Sequence, residues 1–277
     1  MMLDGTLETI AMQGQEAITE YITNSDFSLS LGLISCISII VCASWFFLLR
    51  GKRFVTTDIT KKNESPTAFM IIALIVLMFG VQFFMVLFNL ALQPILEMLN
   101  VSMTETMESA TTNLFMDPFG ILYIVLVGPV MEELVFRGAV MRKLERYGAN
   151  FAIVTSAILF GLYHIILYQA IFAFLIGLIF AYTAGRYSLK WAIVLHILNN
   201  LLAWVSTLAE TAVYVVVGCY FVGFVASIVL VILKRNLFKA QKRAGAPVFP
   251  RVFATAYSSV FFILYVVVFV LMGFLIL

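Results

Sequence analysis

The sequence predicts an all-α polytopic membrane protein, a bundle of about eight transmembrane helices. Three observations predict it. Of the 277 residues, 63% are hydrophobic and 12% charged, more apolar surface than a soluble domain of this length can hide. The apolar residues come in runs of spanning length. The basic residues gather in alternate connections between those runs.

Taken in order, the segment 1–26 is polar and acidic, with no Lys or Arg. It lacks the basic n-region of a cleavable signal peptide, and Leu3, Leu7, Ile10, Ile18 and Ile22 at helical spacing predict a surface helix. From 27 to 277 the chain reads as a single transmembrane domain. A span needs roughly 20 apolar residues, and such runs cover 27–49, 67–92, 119–141, 191–208, 211–233 and 253–277. A further apolar run from Phe151 to Gly185 has no charged residue. At about 52 Å by helical rise it is too long for one crossing and just enough for two short ones. A tight turn near Tyr168-Gln169 is expected to split it, which brings the count to eight. The connections 93–117 and 236–252 are the only sizeable ones, and Pro247 and Pro250 mark the second as partly non-helical.

Charge sorting supports eight spans. Arg50, Lys52, Arg53, Lys61 and Lys62 flank one loop; Arg142, Lys143 and Arg146 fall in the next; Arg186 and Lys190 in the third; Lys234, Arg235, Lys239, Lys242, Arg243 and Arg251 in the fourth. Eight spans put all four loops on one side, which the positive-inside rule makes the cytoplasm. Both termini are then extracytoplasmic, in a multi-pass protein of the cell membrane. A seven-span count breaks this sorting. Cys36, Cys42 and Cys219 all lie within spans and read as small buried hydrophobes.

The most informative stretch is Gly128-Pro129-Val130-Met131-Glu132-Glu133-Leu134-Val135-Phe136-Arg137. An ionised side chain at mid-bilayer costs about 2.5–3.5 kcal/mol on insertion scales, so an adjacent acid pair points to a site. Glu133 and Arg137 are four apart and share a helical face, the acid N-terminal to the base as pairing prefers. Glu132 points about 100° away and has no such counter-ion, which suits a general base. Pro129 removes a helical N–H just before the pair.

The only two histidines follow in later runs. Glu132 and His164 lie at equal distances on either side of the turn expected at Gly148, so an antiparallel hairpin brings them to one depth. His196 and Asn200, four apart, face one way; imidazole and carboxamide together can donate to an oxygen that becomes negative. Asn199 faces elsewhere and is expected to make a structural hydrogen bond to a neighbouring helix. Gln169 is assigned to the turn.

Glu132-Glu133-x-x-x-Arg137, then Phe160-x-x-x-His164, then His196-x-x-x-Asn200, in successive membrane helices, resembles the CAAX protease and bacteriocin-processing family (CPBP, or Abi), similar to the type II CAAX prenyl endopeptidases. The resemblance covers about 118–205, including Phe136-Arg137-Gly138 and the stretch around Gly177. It implies a helical bundle with an interior catalytic cavity open to cytosol and lipid. It also implies an intramembrane endopeptidase acting on a membrane-associated or lipidated peptide or protein precursor. Carried onto this chain, Glu132 and His164 activate water, His196 and Asn200 bind the oxyanion, and Glu133 and Arg137 support the site.

Two readings from other classes compete. A non-proteolytic bacteriocin-immunity or scaffold protein keeps the fold without the chemistry, and intact motifs argue against it. A transporter or proton relay also uses intramembrane acids and histidines, but the internal repeats common in transporters are not evident in this sequence. The expected partners are a peptide or protein substrate presented at the membrane and the bilayer itself; no nucleic acid is expected. Glu132, His164 and His196 are a two-His, one-carboxylate set of the kind that holds zinc. No His-Glu-x-x-His helix is present, and a metal-free site is favoured over zinc.

Overall fold

The computed structural model describes residues 31–52, 54–98, 117–234 and 249–276. The surface helix expected within 1–26 lies outside the described residues, as do 99–116 and 235–248, most of the two long connections. The helices are α1 (Leu31–Arg50), α2 (Ala68–Met98), α3 (Pro118–Tyr147), α4 (Ala149–Tyr163), α5 (Leu167–Arg186), α6 (Leu189–Ser206), α7 (Glu210–Lys234), α8 (Phe249–Tyr257) and α9 (Val260–Ile276). The protein is an all-α polytopic membrane fold. Five of these helices are long and apolar enough to cross a membrane, or six when the bent pair α8–α9 counts as one span. The apolar parts of α1 and α4, Leu31–Trp45 and Ala149–Tyr163, are shorter.

Several helix ends follow from local chemistry. Asp117 caps α3: its carboxylate accepts from the backbone N–H of Phe119 at 3.1 Å and Gly120 at 3.2 Å, with Pro118 in the first turn. The same carboxylate accepts from Gly32 N at 3.1 Å and so ties the start of α1 to that of α3.

Two expectations need correction. The turn between α4 and α5 falls at His164–Ile166, with Tyr168 and Gln169 already inside α5. No Gly or Pro marks it. Ile165 takes the left-handed conformation, φ 61°, which nothing about a β-branched residue announces. The run 253–277 is not one straight helix: α8 and α9 meet at 62° across Ser258 and Ser259. Ser258 Oγ donates to Thr255 O at 3.3 Å, and Ser259 Oγ accepts from Phe262 N at 3.3 Å, so this serine pair ends one helix and caps the next. Pro250 sits in the first turn of α8, where its missing N–H is not needed.

The core gathers α2, α3, α4, α5 and α6, with Met78, Met141, Phe160, Phe180, Ala181 and Ala184 almost fully buried. α5 offers α4 a stripe of small residues, Ala170, Ala173, Gly177, Ala181 and Ala184, the close approach by which membrane helices associate. α2 and α7 form the second extensive pair. A Cβ on Gly223 would lie 2.3 Å from Phe79 Cβ, and one on Gly80 would lie 2.5 Å from Ser227 Oγ.

Three of the basic connections meet at one end of the bundle. Asn63 N donates to Tyr187 O at 2.9 Å and Glu64 N to Arg186 O at 3.1 Å. Lys61 and Arg142 both pair with Glu145, and Arg142 also donates to Ala184 O at 2.9 Å. Phe54, 1% exposed, stacks on Phe47 and packs against Gly138. The segment after α1 is thus strapped across the ends of α3 and α5.

The α2–α7 contact yields a prediction with an internal control. Gly223→Ala overpacks the interface at a cost of about 1–3 kcal/mol and lowers the thermal midpoint in detergent. Gly218→Ala, on the same helix with nothing within 4 Å of its new Cβ, leaves it unchanged or raised. Equal midpoints for the two variants would show that α2 and α7 do not approach this closely.

Candidate active site

The backbone of α3 is built to present the acid pair. It passes through a π-helical turn at Tyr123–Val127, a short α-helical stretch at Gly128–Glu133 and a second π stretch at Leu134–Met141. π turns re-aim side chains within a continuous helix. At the first of them Gly128 N donates back to Tyr123 O, and Pro129 has no N–H to offer. The carbonyl of Ile124 is therefore left without its i+4 or i+5 backbone donor. Asn200 Nδ2, from α6, takes it at 2.8 Å.

Glu133 and Arg137 are both fully buried. Arg137 Nη1 donates to Glu133 Oε1 at 2.6 Å, and its Nη2 to Gly177 O on α5 at 3.1 Å. The guanidinium lies over the Phe160 ring, 4.2 Å from its centroid. A Cβ at position 177 would meet both Arg137 Nη2 and Phe160 Cδ1 at 3.0 Å, so a glycine there lets the guanidinium reach the α5 backbone.

His196, 5% exposed on α6, joins the two acids. Its Nδ1 donates to Glu133 Oε1 at 3.1 Å, and its Nε2 lies 3.7 Å from Glu132 Oε2. The ring stacks on Phe180 at 4.7 Å and meets the Phe160 edge at 5.7 Å. Glu132 keeps part of its carboxylate open, with 13% side-chain exposure against none for Glu133. The adjacent glutamates thus differ as their helical phases require: one is closed into an ion pair and the other is accessible.

His164 does not meet Glu132, contrary to the hairpin expectation. It sits in the turn at the end of α4, and its Nδ1 donates to Phe160 O at 2.9 Å. Because a carbonyl only accepts, this contact assigns the neutral-ring proton to Nδ1 and leaves Nε2 as the basic nitrogen. Phe160 organises the cluster, with its ring edge-to-face against His164 at 4.8 Å and Phe136 at 5.3 Å.

Asn199 and Asn200 are linked, although their phases suggest otherwise. Asn199 Nδ2 donates to Asn200 Oδ1 at 3.1 Å, and Asn199 Oδ1 accepts from Gln82 Nε2 on α2 at 2.8 Å. The interhelical bond expected of Asn199 is present; its partner Gln82 was missed. The available signal was polarity, because Gln82, Asn89 and Gln93 interrupt the apolar run of α2 ahead of Glu97. The backbone acceptor Ile124 O carries no side-chain signal, but Gly128-Pro129 encodes it indirectly. Among the described residues, no three His, Cys, Asp or Glu side chains converge in metal-holding geometry.

Residues 114–202 match the family model Rce1-like, described as type II CAAX prenyl endopeptidase Rce1-like. This region of the chain is similar to the type II CAAX prenyl endopeptidases that the model describes. It contains all three motifs and the helices that carry them. No curated protein and no solved structure matches the chain.

The geometry predicts that Glu133 and Arg137 act as a unit. Glu133→Gln or Arg137→Met alone strands a buried charge, at a cost of about 3–5 kcal/mol, and lowers folded yield and thermal midpoint. The double variant recovers part of the loss. Glu132→Gln shows no such coupling with Arg137→Met. Thermal unfolding in detergent of the three single variants and the two doubles, 133/137 and 132/137, checks this, and additive losses at 133 and 137 would contradict it.

Proposed function

We propose that this protein is an intramembrane endopeptidase that hydrolyses a peptide bond of a membrane-associated or lipidated peptide or protein precursor. One observation carries the reading. An accessible carboxylate, Glu132, lies beside a buried Arg137–Glu133–His196 assembly, inside the domain that matches a CAAX-type endopeptidase family. Glu132 takes a proton from water, His164 Nε2 orients that water, and the oxygen adds to the scissile carbonyl. The resulting oxyanion is met by Asn200 through the amide N–H not used on Ile124, and by His196 through Nε2, which donates when the ring carries two protons. Collapse of the adduct returns the proton to the departing amine. The catalytic type we propose is a metal-free, carboxylate-activated water.

The test is a comparison of peptides from cells making the wild type or Glu132→Gln. The variant accumulates to wild-type level and loses the cleavage products, with the purified enzyme slowed about 10²- to 10⁴-fold. Retention of those products by the variant would remove the base assignment and favour a non-proteolytic role. In the same purified assay a chelator leaves the rate unchanged; a loss reversed by stoichiometric zinc would make the histidines ligands.

We further propose that the four basic connections face the cytoplasm of the cell and both termini lie outside. Contact between the first three connections supports placing them on one side. Single cysteines, Ile10→Cys and Leu277→Cys, in a chain with Cys36, Cys42 and Cys219 replaced by Ala, are expected to react with an impermeant thiol reagent in intact cells. Protection of both would invert the topology.

A further inference from the structure

We infer that Gln82, on α2 and outside the region matched to the family, is a positioning residue for Asn200, acting through Asn199. The inference rests on the peptidase reading above and assigns a role to a side chain that no motif includes.

The argument starts at the far end of a hydrogen-bond chain. Ile124 O can only accept, so Asn200 must present Nδ2 to it, at 2.8 Å. That turns Asn200 Oδ1 toward Asn199, at 3.1 Å. An amide oxygen also only accepts, so Asn199 must present Nδ2, which turns its own Oδ1 toward Gln82. Gln82 closes the chain by donating Nε2 at 2.8 Å. Each amide orientation dictates the next, and all three bonds run in one direction, a polarity in which each bond strengthens its neighbour.

Asn200 is thereby left with one amide N–H free of the chain. Asn199 also has a second amide N–H, but it is 4% exposed, while Asn200 retains partial access, so of the two spare donors the one on Asn200 is accessible. Without Gln82, the buried Asn199 Oδ1 loses its donor. Rotating Asn199 to find another sets its oxygen against Asn200 Oδ1 and pulls Asn200 away from Ile124. Gln82 thus holds the Asn200 donor in place without touching substrate.

The test uses full-length protein in detergent and a fluorogenic peptide with a farnesylated cysteine followed by three residues. Gln82→Met keeps shape and removes the donor; Asn199→Leu removes the middle link. Each is expected to lower kcat about tenfold, the lower end of what lost supporting partners cost an active site, with KM within about twofold of wild type. The double variant loses no more than the worse single, because both cut one chain. Wild-type kcat in Gln82→Met or Asn199→Leu, a rise in KM in place of the fall in kcat, or multiplying losses in the double variant would overturn the inference while leaving the peptidase reading intact. Should Gln82→Met fail to fold, Asn199→Leu alone decides by the same kcat-against-KM split. A wild type that leaves the probe uncleaved, or Glu132→Gln that cleaves it normally, would overturn the peptidase reading and this inference with it.

Discussion

The arrangement depends on placing one guanidinium in the middle of a membrane bundle. An isolated charge in that environment costs several kcal/mol, and an ion pair repays the cost only when its geometry is close and its remaining polar atoms find partners. Arg137 finds partners in four elements: Glu133 on its own helix, the Gly177 carbonyl on α5, the Phe160 ring on α4, and, by way of Glu133, His196 on α6, while its Nε and Glu133 Oε2 are left without a hydrogen bond. Satisfying this one cation therefore fixes the mutual positions of α3, α4, α5 and α6. Those are the helices that carry every candidate catalytic side chain. The pair's contribution lies more in this registration than in net stability.

The second constraint is backbone polarity. Lipid offers no hydrogen bonds, so a carbonyl released by a helix irregularity must find a partner inside the protein. Gly128 and Pro129 release Ile124 O just before the acids, and Asn200 is the side chain that answers. The irregularity that aims Glu132 thus also anchors the proposed oxyanion donor. A regular α3 would take Ile124 O back into the helix ladder and leave the Asn200 amide without its anchor.

Much of this was legible in the sequence, for identifiable reasons. Charged residues in apolar runs stand out because they are costly there, so Glu132, Glu133 and Arg137 were found directly. Four-residue spacing on a helix is a geometric statement, and the Glu133–Arg137 contact follows from it. Contacts between helices were less legible. The pairing of Glu132 with His196 rather than His164 depends on where α4 stops, and that depends on Ile165 adopting a left-handed conformation its side chain does not advertise. Gln82 was hidden differently: Ala68–Ile95 also carries Asn89 and Gln93, and nothing in the sequence says which of the three amides meets Asn199. The bend at Ser258–Ser259 has only a weak signal, because Thr255 and the two serines are the polar residues of a run that carries no charge, Gly or Pro near the break.

The short α4 also explains why helices beyond the matched domain belong to the site. Its 15 residues rise about 22 Å, less than a bilayer core, so a helix of this length that enters at one surface ends short of the other. Non-helical backbone at depth is tolerated only where protein or enclosed water covers it. Cover comes from outside residues 114–202. Tyr265 on α9 donates to Leu159 O at 3.1 Å, and a Cβ at Gly273 would lie 3.6 Å from Ile165 O. From the other flank, Met85 O on α2 accepts from Tyr168 at 3.3 Å. Within the turn, His164 N and Ile166 N donate to Gly161 O and His164 O. A helix that ended at the membrane surface would put His164 in water, and one that continued would turn its ring onto a helical face. Ending early, under cover, lets the ring lean back on Phe160 O and leaves Nε2 free, so the place of the turn and the orientation of the imidazole proposed to hold the water are one feature of the fold.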